Sequence, residues 1–232
     1  EIRLSLVGSE MCIRDRHDSY TLIDLEIAVS EYYDSLRANI DSFEDVKAFD
    51  PFLNEFTHLQ RAKKYEAASL LLLNSKEQIS LTRMGSYHQI MRFCRSLLQH
   101  QYDPHLKSRV LGLLGRVCDV VGMYREGITS LNAALELGST TIDTRYRLTF
   151  LVELARCYIG LSEYAEAIKY GEMVLQENSI HDTIVEAAAL DGLGIAYRNI
   201  GEYDPAIRHY ERALMLAQQD NDLTAEGRIL GN

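Results

Sequence analysis

The side chains best suited to recognition are Arg116 and Arg156, which stand eight residues before Tyr124 and Tyr164 respectively. A guanidinium offers a planar fork of N–H donors that matches a carboxylate or a phosphate. An equal offset from two like tyrosines makes the arginines neighbours if the segments that carry them repeat. Asp119 and Arg198 form a second row, five residues before Tyr124 and Tyr203, and Arg109, Glu153, Asp191 and Asn199 fall nearby by helical spacing. These eight residues make a candidate partner-binding groove. A plainer reading stays open, in which Arg116 and Arg156 only pair with Asp119, Glu153 or other acids, each pair worth under about 1 kcal/mol.

Catalytic chemistry finds no such constellation. There is no G-x-x-x-x-G-K-[ST] loop and no G-x-S-x-G elbow, and Gly112-x-x-Gly115 and Gly192-x-Gly194 sit inside apolar helical stripes rather than after a strand. None of the histidines forms H-E-x-x-H, and Cys94, His100 and His105 match no metal-ligand spacing. Leaving Cys12 aside, Cys94, Cys118 and Cys157 contain no C-x-x-C pair, which fits core packing in a reduced, cytoplasmic setting. The expectation is therefore a non-catalytic chain with no cofactor and no metal.

The elements that carry the arginines repeat. Leu114-Gly115-x-x-Cys118-x-x-x-Gly122-x-Tyr124 and Leu193-Gly194-x-x-Tyr197-x-x-x-Gly201-x-Tyr203 share every step, and between them Leu154-Ala155-x-x-Tyr158-x-x-x-Ser162-x-Tyr164 replaces both glycines. The tyrosines are 40 and 39 residues apart. After each comes a second stripe: Gly127-Ile128, Ala167-Ile168 and Ala206-Ile207, then Leu131, Gly171 and Tyr210, then Ala134-Leu135, Val174-Leu175 and Ala213-Leu214. Two apolar stripes at helical spacing, joined by a glycine-type turn, predict a helix hairpin. A single hairpin cannot bury its stripe, so the hairpins must stack. A degenerate unit is expected at Tyr65-x-x-Ala68-x-x-x-Leu72, after Phe52, Phe56 and Leu59. An extra helix over Tyr87 to Gln101 follows, and a leading helix over Tyr20 to Leu36 precedes it, with its partner expected upstream and an acidic loop, Asn39 to Asp45, after it.

The net charge of −10 disfavours nucleic acid and anionic membrane surfaces. The longest aliphatic run, Leu70 to Leu73, is far short of a membrane span. The run Ser5 to Arg16 resembles a translated sequencing adapter, so residues 1–16 are set aside as artefact. The chain then divides into a helical lead-in (17–46), a degenerate repeat with the extra helix (47–104), three repeats (105–222) and the start of a truncated next repeat (223–232). On this reading the chain is a fragment whose cut ends favour self-association.

Leu-Gly-x-x-Tyr followed by Gly-x-Tyr-x-x-Ala-Ile-x-x-Tyr-x-x-Ala-Leu, as it stands at Leu193 to Leu214, resembles the tetratricopeptide repeat. The resemblance implies an all-α fold, a right-handed superhelical solenoid of antiparallel helix hairpins, here with long repeats of 39–40 residues, and a protein or peptide as ligand. The subclass that grips a C-terminal carboxylate needs Lys, Asn and Arg at set places. Gly112, Val152, Asp191 and Ile195 occupy several of those places, so that clamp is missing.

More widely, Glu31-Tyr32-Tyr33, Phe56-Thr57-His58-Leu59-x-x-Ala62-x-x-Tyr65, Asp103-Pro104 and the closing Leu230-Gly231-Asn232 resemble the repeat arm of bacterial signal-transduction ATPases with numerous domains. That likeness implies a ligand-sensing, autoinhibitory arm of a larger ATPase. A stand-alone scaffold for complex assembly and the non-catalytic arm of a repeat-containing enzyme are the alternatives.

Overall fold

The computed structural model describes residues 21–38, 49–73, 81–82, 85–138 and 142–232. Residues 1–16 and the acidic loop expected over 39–45 lie outside them. Eleven helices and no strand are present among the described residues. They divide between two units, Glu1–Ser80 and Leu81–Asn232.

The first unit holds α1 (Leu22–Arg37), α2 (Asp50–Arg61) and α3 (Tyr65–Leu73). Helix α1 starts in a capping box: the Thr21 side chain accepts from the Asp24 N–H, and the Asp24 carboxylate accepts from the Thr21 N–H at 2.7 Å. Phe52 and Phe56 on α2 and Ala68 and Leu72 on α3 are buried, and α2 packs on α3. The leading helix, expected to pair upstream, packs on α2. Two polar contacts tie them, from Arg37 Nε to Glu55 Oε2 at 2.8 Å and between His58 and Glu26, and the His58 ring stacks on Tyr33.

The second unit runs α4 (Tyr87–Leu98), α5 (Pro104–Val120), α6 (Tyr124–Leu137), α7 (Thr144–Gly160), α8 (Tyr164–Glu177), α9 (Thr183–Asn199), α10 (Tyr203–Gln219) and α11 (Leu223–Leu230). Each helix packs on the next, and α5 also touches α7, as α7 touches α9. The first helices of successive hairpins therefore form a layer of their own. The extra helix α4, expected to go with the degenerate repeat, joins this unit and packs on α5.

Local chemistry sets the register of each hairpin. Helices α5, α7, α9 and α11 begin at Asp103, Asp143, Asp182 and Asp222, whose carboxylates accept N–H bonds from Leu106, Arg145, Val185 and Ala225. Each hairpin turn then passes through a left-handed residue, Gly122 (φ 78°), Ser162 (φ 61°) or Gly201 (φ 86°). Ser162 adopts this conformation despite its Cβ, a strain of about 1–2 kcal/mol that its glycine counterparts escape. The next residue's N–H reaches back to close the end of the first helix, as from Met123 to the Cys118 carbonyl at 2.8 Å and from Glu163 to the Tyr158 carbonyl at 2.9 Å.

Close approach needs small residues. A Cβ on Gly115 would lie 2.4 Å from Leu131, and one on Gly194 2.5 Å from the Tyr210 ring. In the middle hairpin the sizes are exchanged, with Ala155 on α7 and Gly171 on α8. Among the described residues Cys94, Cys118 and Cys157 are free and buried, and burial pushes the thiols of Cys118 and Cys157 up to about 11 and 12. A thiol so raised stays protonated at neutral pH and is a poor nucleophile.

Candidate partner-binding face

Arginines and acids on the first helices pair across repeats. From α5, Arg116 Nε lies 3.2 Å from Glu153 Oε1 on α7, and from α7, Arg156 Nε donates to Asp119 Oδ2 on α5 at 3.0 Å. Glu153 Oε2 sits 3.8 Å from Arg156 Nε, which joins the four side chains into one cluster. The pairing is lopsided in exposure: the arginine side chains are each 44% exposed, Asp119 10% and Glu153 11%. The acids are interior, and the guanidinium groups stand over them.

Burial governs the titration. Loss of water raises the Asp119 carboxyl above the ordinary range, against the opposing pull of Arg156. Glu153 is likewise raised by burial, with Arg116 and Arg156 pulling the other way. For Arg156, burial works against the charge, but Glu153 and Asp119 outweigh it and hold the guanidinium protonated.

The pattern recurs one step along. Asp191 on α9 is buried at 6% side-chain exposure, accepts from Asn232 Nδ2 at 3.0 Å, and lies 2.9 Å from Arg228 Nε on α11. Arg198 donates to the Asn232 backbone carbonyl. The guanidinium of Arg109 lies over the Tyr146 ring, 4.7 Å from its centroid, a cation–π contact between α5 and α7. Asn199 donates to the Ile195 carbonyl of its own helix at 2.7 Å. Of the eight residues singled out in the sequence, Arg116, Asp119, Glu153 and Arg156 thus form one cluster. Asp191 and Arg198 meet around Asn232, Arg109 is stacked, and Asn199 caps its own helix.

Comparison with known proteins places part of this architecture beside a known repeat. Residues 146–219 match the family model described as tetratricopeptide repeat. The hairpins within that span, α7–α8 and α9–α10, are similar to tetratricopeptide repeats. Outer dynein arm-docking complex subunit 4 of Bos taurus is 28% identical over 134 residues, which is 56% of this chain and 19% of that protein. The chain thus spans about a fifth of that relative's length. Among solved structures, aspartyl phosphate phosphatase F from Bacillus subtilis superposes with a TM-score of 0.65 at 14% identity, over 89% of this chain and 53% of that one. MamA protein superposes at 0.59 and 16% identity, over 85% and 94%. At such identities the likeness is one of fold.

Sequence reasoning missed three members of this face. Arg228 and Asn232 could have been found by carrying the Leu193-Gly194 alignment forward to Leu230-Gly231, which puts Asn232 in the row of Arg116 and Arg156. Tyr146 gave no signal, because a half-buried tyrosine in a helix reads as core. Two aromatic stacks also lie at matching positions, Tyr158 on Tyr170 and Tyr197 on His209, each with ring centroids 5.4 Å apart. Among the described residues no group of three His, Cys, Asp or Glu side chains could hold a metal ion. No helix there is long and apolar enough to cross a membrane.

Proposed function

We propose that this tetratricopeptide-repeat array binds a peptide or extended segment of another protein along α5, α7 and α9, and serves as a scaffold in the assembly of a protein complex. The observation that carries the reading is the direct contact of α5 with α7 and α7 with α9, which sets their outer side chains in adjoining rows that an extended chain can follow. The groove consists of Arg109, Arg116, Asp119, Glu153, Arg156, Asp191, Arg198 and Asn199. The named relative is a docking-complex subunit, which favours assembly as the setting. Free, buried thiols fit a reducing, cytoplasmic compartment.

The test is to select peptides from a display library on the 232-residue chain and map them by hydrogen–deuterium exchange. Protection concentrated on α5, α7 and α9 is the expected result. Protection confined to α6, α8 and α10, or failure to select any peptide, would overturn the reading.

A second reading, in which the array is the sensing arm of a signal-transduction ATPase, is favoured by the order of motifs from Glu31 to Asn232. It requires a nucleotide-binding core in the same reading frame. Sequencing the source DNA upstream of His17 decides it: a P-loop domain in frame supports the arm, and a start codon near His17 with no such domain removes it.

A further inference from the structure

We infer that the segment bound by the first helices is acidic and is held by guanidinium groups set over buried carboxylates, Arg116, Arg156 and Arg228. This rests on the peptide-binding reading above and specifies the charge of the peptide. The three share a geometry. Each arginine approaches a carboxylate with Nε, at 3.2 Å for Arg116 and Glu153, 3.0 Å for Arg156 and Asp119, and 2.9 Å for Arg228 and Asp191. Each carboxylate belongs to a neighbouring first helix and is at least 89% buried, while each arginine side chain is 44% exposed. Among the described residues no hydrogen bond engages the Nη atoms of these three arginines. Arg156, bonded through Nε to Asp119, still presents its paired Nη–H groups, the edge that takes a carboxylate with two parallel bonds, while Arg116 and Arg228 stand at ion-pair distance from their carboxylates. The buried acids are thus positioning residues, which restrict the rotamers of long side chains before a ligand arrives.

The distribution of charge points the same way. Helices α5, α7 and α9 together carry seven Lys and Arg against four Asp and Glu, whereas α6, α8 and α10 carry four against seven. These three helices thus carry a basic excess in a chain of net charge −10. The acids of that layer are the buried ones, so the charge that meets a ligand is more basic than the count alone. This complementarity suits the Asp and Glu side chains of an extended peptide.

The experiment measures fluorescence anisotropy of labelled decaglutamate, decalysine and a neutral Gly-Ser decapeptide with the 232-residue chain at low salt, where surface charge acts at full range. Decaglutamate should bind at least about tenfold tighter than the other two, and the pair R116Q/R156Q should weaken it by about tenfold. R208Q, on α10, should leave it within about twofold. Circular dichroism confirms that each variant is folded.

The sharper variant is Asp119→Asn. It makes the face more positive, so plain electrostatic attraction predicts tighter binding, whereas loss of the group that orients Arg156 predicts weaker binding by about threefold. Tightening on Asp119→Asn, or decaglutamate binding no better than decalysine, would overturn the inference. So would a phosphoserine peptide of equal charge that binds about tenfold tighter, which would reassign the ligand to phosphate. If library peptides protect α5, α7 and α9 but decaglutamate does not bind, the peptide-binding reading survives and this one falls. If neither binds, both fall.

Discussion

The first and second helices of the repeat array are of similar length, yet they do different work. Helix α7 buries eight residues, Leu148, Phe150, Leu151, Val152, Glu153, Leu154, Ala155 and Cys157, because it lies between its own hairpin partner and the helices of adjacent repeats. Helix α8 buries three, Ala167, Gly171 and Val174. The caps differ in the same sense. Helices α5, α7 and α9 each start at an aspartate that accepts a backbone N–H, while α6, α8 and α10 start at a tyrosine with no side-chain cap. Charge follows burial: acids on the first helices are drawn inward against arginines, while those on the second helices pair in more exposed settings, Glu166 with Lys169 and Glu177 with Arg147. One layer is both the structural core of the array and its most organised polar surface.

That contrast breaks down if the first helices tolerate added bulk. A Cβ on Gly112 would meet the Phe150 ring at 2.1 Å, so Gly112→Val should cost about 3 kcal/mol or more, even though replacing a helical glycine normally helps the helix. Asn132→Val, at an exposed site on α6, should stay within about 0.5 kcal/mol. Urea titration followed by circular dichroism gives both numbers. Equal losses would mean that the two layers are equally packed.

Truncation sharpens the same point on a smaller scale. Leu154 on α7 is fully buried, and Leu154→Ala should cost about 3 kcal/mol through the cavity it leaves. Leu175 on α8 is half-buried, and Leu175→Ala should cost about 1 kcal/mol. A larger loss at Leu175 than at Leu154 would reverse the assignment of the core to the first helices.

The hairpins were legible in the sequence because Tyr124, Tyr164 and Tyr203 each follow a small residue and a turn at constant spacing, and a regular spacing survives whatever packs around it. The caps were equally legible and went unread: Asp103, Asp143 and Asp182 each precede their tyrosine by 21 residues. Ser162 hid its role, since nothing in a serine announces a left-handed conformation until two glycines at matching turns are set beside it. The candidate site was legible only as a neighbourhood. Equal offsets placed Arg116 next to Arg156, but which carboxylate goes under which arginine depends on the lateral offset between α5 and α7, and spacing along the chain does not carry that. Asn199 illustrates the same limit. Its position suits the row, yet its amide turns back to the Ile195 carbonyl, a choice made by a rotamer.

The finest test of the comparison is a pair of carboxylates with opposite pH behaviour. Glu153 is raised above 4.5 by burial, so the folded chain holds its proton more tightly than the unfolded one. Its contribution to stability is full below pH 4.5 and is lost as pH rises through the folded value. At pH 7 the buried charge is a net cost, and Glu153→Gln should leave stability unchanged or raise it by up to about 1 kcal/mol, an advantage that disappears toward pH 4. Glu177, at the end of α8, is lowered by its hydrogen bonds from Arg147 at 2.8 and 3.0 Å. Its contribution is present above 4.5 and is lost as pH falls through the lowered value. Glu177→Gln should therefore cost something at pH 7, well under about 1 kcal/mol because the pair is more than a third exposed and screened, and nothing at acid pH. Thermal melts of both variants and the parent from pH 3 to 8 should show difference curves of opposite sign that both approach zero in acid. Curves of the same sign would mean that Glu153 is held as an ordinary surface ion pair, and that the acids of the first-helix layer are not interior groups at all.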